Sequence, residues 1–213
     1  MKTIWSCCAL LLWASAILLL SGCQPKEVQA LLEPSQALAS VLADETTRLI
    51  GVNKRVALIT HDKSWGEPST AEEALRAALK KQGITIDAVK AANLGNPMLS
   101  GEVGLKAADF LDALDKSSGA GAVISLVGAP LLKDGDIGRV PSGHPPVLVV
   151  ATASLGDKMG VRTDPVQLAR LLDARIIQLA VIDGAEPAAA GAAKSDPQRE
   201  LFGQHYRILR RAD

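Results

Sequence analysis

The chain sets 23 lysines and arginines against 23 aspartates and glutamates over 213 residues, with no basic run, which argues against a nucleic-acid partner. Aromatics at 3% leave too little ring area for a sugar-stacking site or a large aromatic interface. The three cysteines, Cys7, Cys8 and Cys23, all lie near the start, so the rest of the chain is held by its core without disulfides.

Lys2 is the only charge before Cys23, and Ile4 to Leu19 is almost wholly apolar. That run falls short of the ~20 residues of a comfortable membrane span. A positive start, a short apolar middle and small residues before a cut read as a secretory signal over residues 1–22. The stretch Leu20-Ser21-Gly22-Cys23 resembles a bacterial lipobox. The resemblance implies cleavage before Cys23, a thioether-linked diacylglycerol on its thiol and an amide-linked acyl chain on its amine. Each buried CH₂ of such chains supplies ~0.8 kcal/mol of membrane affinity. Cleavage would leave 191 of the 213 residues and, with Lys2 gone, a formal charge of −1. Gln24, where lipoproteins of the inner membrane usually carry aspartate, points to the outer membrane and its periplasmic face. The partners expected are the membrane, through lipidated Cys23, and another envelope protein.

Residues 23–50 read as a tether and a helix. Pro25 and Lys26 keep the start extended, Pro34 opens the helix, and Leu38, Val41, Leu42 and Leu49 form its apolar stripe before Gly51. Residues 51–183 alternate strand and helix. Val56-Ala57-Leu58-Ile59-Thr60 is a continuous apolar run, as a strand covered on both faces requires. After a polar loop, Thr70 and Glu73 predict a capping box, with Ala71, Ala74, Leu75, Ala78 and Leu79 on one helical face. Gly83 ends that helix and Ile84 to Val89 is the next strand. Ala107, Phe110, Leu111 and Leu114 mark another helix, and strands follow at Ala122–Val127 and Val147–Thr152.

Asp164, Pro165 and Gln167 start a further helix. Ile176 to Ile182 is rich in β-branched residues, which favours helix then strand, although one helix from Pro165 to Ile182 would also align its leucines. Residues 184–213 read as an Ala/Gly/Pro linker and a tail returning through Phe202, Tyr206 and Ile208. The repeated strand-helix order predicts an α/β fold: a three-layer, flavodoxin-like, doubly wound and mostly parallel sheet of 4–5 strands.

The series Val56-Ala57-Leu58-Ile59, Trp65-Gly66, Ala74-Leu75, Leu79 and Gly83-Ile84, then Asp109-Phe110-Leu111 and Ala122 to Gly128, resembles one lobe of a type I periplasmic binding protein. The resemblance implies a small-ligand binder. Such receptors close two lobes around a ligand, and this chain has length for one.

In parallel sheets ligands bind at the carboxyl ends of strands. Those ends offer His61, Asp62, Ser64 and Trp65, then Gly128, then Ser154. No catalytic set stands out. Gly119-Ala120-Gly121 precedes a strand, the wrong order for a phosphate turn, and Asp134-Gly135-Asp136 has Pro145 where a calcium loop needs an acid. His61, His144 and His205 lack ligand spacing, so neither a metal nor another cofactor is expected. Three function classes stay open. The main reading is a non-enzymatic, lipid-anchored envelope protein with a binding, accessory or scaffold role. The alternatives are a single-lobe small-ligand binder and a hydrolase whose residues meet only in three dimensions.

Overall fold

The computed structural model describes residues 26–96, 98, 103–153, 164–185 and 196–211. The signal at 1–22, Cys23, Pro25 and Ser154 lie outside these residues. The chain divides into Met1–Leu32 and Glu33–Asp213, and the sheet belongs to the second unit.

The described chain opens with helix α1, Lys26–Ile50. Pro34 therefore lies inside the helix instead of opening it, and Lys26 is helical where an extended tether was expected. Gly51 at φ 56° ends it, a conformation that costs glycine little. Strand β1, Arg55–His61, and helix α2, Thr70–Lys81, follow. The cap of α2 is Ser69, one residue before the expected Thr70, and its hydroxyl accepts from the Glu72 amide at 3.2 Å. Next come β2, Thr85–Ala92; the short β3, Leu105–Lys106; and helix α3, Ala107–Lys116. Strand β4, Ala122–Ser125, leads to β5, Pro130–Leu131, and the single-turn helix α4, Asp134–Ile137. The body then runs through β6, Val147–Ala151; α5, Pro165–Asp173; β7, Leu179–Asp183; α6, Pro197–His205; and β8, Tyr206–Leu209.

Helix-then-strand is what the structure holds between Pro165 and Asp183. No glycine is needed at the break because Arg175 itself takes φ 58°, a left-handed conformation. The strand starts at Leu179, three residues after the expected Ile176. Asp164 caps α5 through Val166, but Gln167 completes no capping box: its side-chain amide donates to the Pro130 carbonyl at 2.6 Å.

The sheet has six strands in the order β2-β1-β4-β6-β7-β8, not four or five. The first five are parallel. The sixth, β8, lies in the tail expected to return through Phe202, Tyr206 and Ile208, and pairs antiparallel with β7 as a strand that was not expected. A parallel pair, β3 with β5, stands beside it. Side chains alternate along the central strands and feed two cores. Val56, Leu58, Ile124, Leu148 and Val150 meet α1, α2 and α6 on one face. Ala57, Ile59, Val123, Val147 and Val149 meet α3 and α5 on the other. The architecture is α/β in three layers, with a mostly parallel sheet flanked by helices. Phe202 and Tyr206 are buried in the first core, so the division at residue 183 is one of composition, not of packing.

Gly119-Ala120-Gly121 serves this packing. The Gly121 amide donates to the Arg55 carbonyl at 2.7 Å, and a Cβ there would lie 2.6 Å from the Asn53 carbonyl oxygen and 2.9 Å from Ile50 Cβ. Gly119 faces open space. Gly121→Ala is expected to cost about 1–3 kcal/mol through overpacking, and Gly119→Ala far less. Urea midpoints of the two variants check this; equal midpoints would contradict the close approach.

Candidate functional site

A parallel sheet sends every loop that follows a strand to one edge, and the site is built there. Strand order reverses between β1 and β4: the chain leaves β1 for β2 on one side, and β4 for β6 on the other. Backbone hydrogen bonds draw the two exits apart. After β1, the Asp62 amide donates to the Ala92 carbonyl of β2 at 3.0 Å. After β4, the Gly128 amide donates to the Val150 carbonyl of β6 at 3.1 Å. By the general rule for open α/β sheets, the position between these two exits is the switch-point crevice where a ligand is expected.

On the β1 side the rim is a 3₁₀ turn, Lys63–Trp65, capped by Asp62. The Asp62 carboxylate accepts from the Ser64 amide at 3.0 Å and also from the Ser64 hydroxyl. Its carbonyl accepts from the Trp65 amide at 3.1 Å and from His61 Nδ1 at 3.0 Å, which puts the ring proton on Nδ1. Gly66 at φ 98° closes the turn. Ser64 is exposed, whereas His61, Asp62 and Trp65 are half-buried. The indole packs against the α3–α5 core with one part and leaves the rest at the surface, so Trp65 is both wedge and rim.

The β4 side is different in kind. Residues 122–130 are all buried. Ser125 donates its hydroxyl to the Gly128 carbonyl at 2.6 Å, the Leu126 amide donates to the Ile59 carbonyl at 2.9 Å, and Gly128 takes φ 82°. Both backbone groups of Gly128 are thus engaged, and the residue shapes the wall of the crevice through its turn. The Ser125 hydroxyl is likewise committed to that turn. Farther along the edge, the Ala153 amide donates to the Asp183 carboxylate at 2.8 Å, tying the exits of β6 and β7. The structure brings His61, Asp62, Ser64 and Trp65 together on one exit and sets Gly128 on the facing one.

A separate cleft of about 140 Å³ lies between α3 and strands β1 and β2, over Ala57, Ala88 and Ala113. It is well below the ~300–1,000 Å³ of ordinary ligand pockets. At its mouth Lys90 bridges Asp109 at 3.1 Å and Asp112 at 2.8 Å, and Lys116 holds Asp112 at 2.8 Å. Hydrogen bonds that Lys90 donates to Asp112, then to Asp109, raise its pKa above the ordinary value. Lys116, then Lys90, hold the Asp112 carboxyl below its own. This network ties edge strand β2 to α3.

Sequence reasoning missed one cluster. Glu45 of α1 is 3% exposed and accepts from Arg48 at 2.9 Å, Arg199 at 3.1 Å and Arg210 at 2.7 Å. Burial alone would raise its pKa. Hydrogen bonds from Arg210 and Arg199, with the charges of Arg210 and Arg48, outweigh burial and hold the carboxyl below the ordinary 4.5. The signal was present: Leu38, Leu42, Glu45 and Leu49 share one helical face, so a charge interrupts an apolar stripe.

Among the described residues no group of three His, Cys, Asp or Glu could hold a metal ion. Asp134 instead pairs with Arg170, and Asp136 pairs with Arg139 at 3.4 Å. Also among the described residues, no helix is long and apolar enough to cross a membrane.

No protein-family model matches the chain, and a search of curated proteins finds no match. Among solved structures the chain is similar to a periplasmic ribose ABC transporter from Conexibacter woesei DSM 14684, with a TM-score of 0.44 and 16% identity. The similarity covers 70% of this chain and 45% of that one, so the chain spans less than half of that neighbour's length.

Proposed function

We propose that the protein is a lipid-anchored, non-enzymatic binding protein of the cell envelope that takes a small polar ligand at the crevice between β1 and β4. The observation that carries this reading is the parting of the two strand exits, Asp62 toward Ala92 and Gly128 toward Val150. The rim supplies a carboxylate, a hydroxyl and an indole within four residues, and the opposite wall supplies a rigid buried turn. Such a mixture of one apolar plate with few polar groups suits orientation of a small molecule.

A second reading, docking of another envelope protein at the same edge, draws on two side chains. Met98, after β2, is 87% exposed, and Val166, at the start of α5 after β6, is 75% exposed. Exposed apolar groups favour a protein partner where they join into one contiguous patch. The two readings share a surface and differ in what native mass spectrometry of the purified protein would find on it.

Two outcomes are expected. Cys23→Ser abolishes incorporation of labelled palmitate and moves the protein from the membrane to the soluble fraction, since on this reading the acylated end holds it to the bilayer. Equal labelling of the variant would contradict the anchor. Trp65→Ala and Asp62→Ala, melting close to wild type, each weaken binding of the recovered ligand by about tenfold or more. Trp65→Ala that melts early yet binds normally when folded would assign the indole to the core alone.

A further inference from the structure

The C-terminal helix and strand join the rest of the second unit through one strand pairing, apolar side chains and one charged cluster. Among the described strands β8 is outermost and pairs with β7 alone, through four residue pairs from Ala180–Leu209 to Asp183–Tyr206. Phe202 and Tyr206 enter the core, their rings 5.5 Å apart. Leu201 and Ile208 pack against the same core and Leu209 against the other, and a polar tie is added to these apolar ones. Tyr206, Ile208 and Arg210 alternate onto the face covered by α1, and Arg210 there meets Glu45 Oε2. Arg199, near the start of α6, meets Glu45 Oε1. One buried carboxylate thus holds both ends of the segment.

We propose that residues 197–211 form a strap, fastened at both ends by Glu45, that opens as a unit when this carboxylate loses its charge, while β1, β4 and β6 stay paired. The charged groups bonded to Glu45 are Arg48 from its own helix, Arg199 from α6 and Arg210 beyond β8. All three keep their charge at any working pH. A neutral Glu45 would therefore surrender three charge-assisted hydrogen bonds and leave three guanidiniums facing one another without a counter-charge. The sign follows from a lowered carboxyl: the fastening is complete above the ordinary glutamate value of 4.5 and is lost as pH falls through the lower folded value. Opening uncovers Phe202 and Tyr206 from the core shared by α1 and α2, so acidity would expose an apolar surface.

Hydrogen exchange read by mass spectrometry on the full chain tests this, with rates corrected for the intrinsic effect of pH. At neutral pH, Glu45→Gln should speed exchange in Tyr206–Leu209 by about tenfold or more and leave Val56–Ile59 and Ala122–Ser125 unchanged. Wild type should show the same selective change in acid. Arg210→Gln removes one fastening and keeps Glu45 charged, so it should open the strap less, and it carries the comparison if Glu45→Gln fails to fold. Equal acceleration in β8 and β4 would overturn the proposal, because Glu45 would then stabilise the whole fold. Unchanged exchange in β8 would overturn it as well.

Discussion

Burial of the central strands on both faces is the constraint from which the remaining features follow. Strands β1, β4 and β6 send alternate side chains into two separate cores, and each fully buried Val, Leu or Ile contributes about 1.5–3 kcal/mol. Two covered faces require helices on both, and parallel strands require each helix to return the chain to the opposite edge. All exits therefore gather at one side. The one polar residue of β4, Ser125, is buried at its end and is satisfied by the Gly128 carbonyl. That bond closes the turn that walls the crevice, so the contact that makes burial of β4 tolerable also shapes the candidate site.

The two sheet edges are handled differently. Edge strand β2 carries a register irregularity opposite Val56 and Ala57, with Asp87 bonded to Arg55 and Lys90 drawn onto α3. Irregularity and charge discourage pairing with a further strand. The other edge is occupied by β8, and its polar fastening is Glu45. A carboxylate so deep in a helix face is tolerable because three guanidiniums surround it. A firm sheet with one movable margin leaves the carboxyl-end loops as the natural place for binding.

Much of the fold was legible because apolar runs and helical stripes report burial directly. Val56 to Thr60 and Val147 to Ala151 could only be covered strands, and Leu75 with Leu79 could only face a core. What escaped depended on contacts distant in sequence. Nothing near Arg175 announces a left-handed residue, and Ser69 outcompeted Thr70 as cap by one position. Tyr206 to Leu209 is too short to read as a strand without β7 beside it. At the site, the grouping of His61, Asp62, Ser64 and Trp65 was legible because they are neighbours in the chain. That the turn around Gly128 is buried and bonded on both sides was not, since Ile59 and Val150 supply the partners. Glu45 escaped for the same reason: Arg199 and Arg210 stand more than a hundred residues away.

The claim that the crevice between β1 and β4 is the working surface is tested most directly by amide chemical-shift mapping. The isotope-labelled protein would be titrated with the low-molecular-weight fraction of envelope extract. The account predicts shifts confined to His61–Gly66 and Ser125–Gly128, with Gly51–Lys54 and Gly119–Gly121 at the opposite edge unmoved. Shifts centred on that opposite edge, or on the outer faces of α1 and α3, would contradict it.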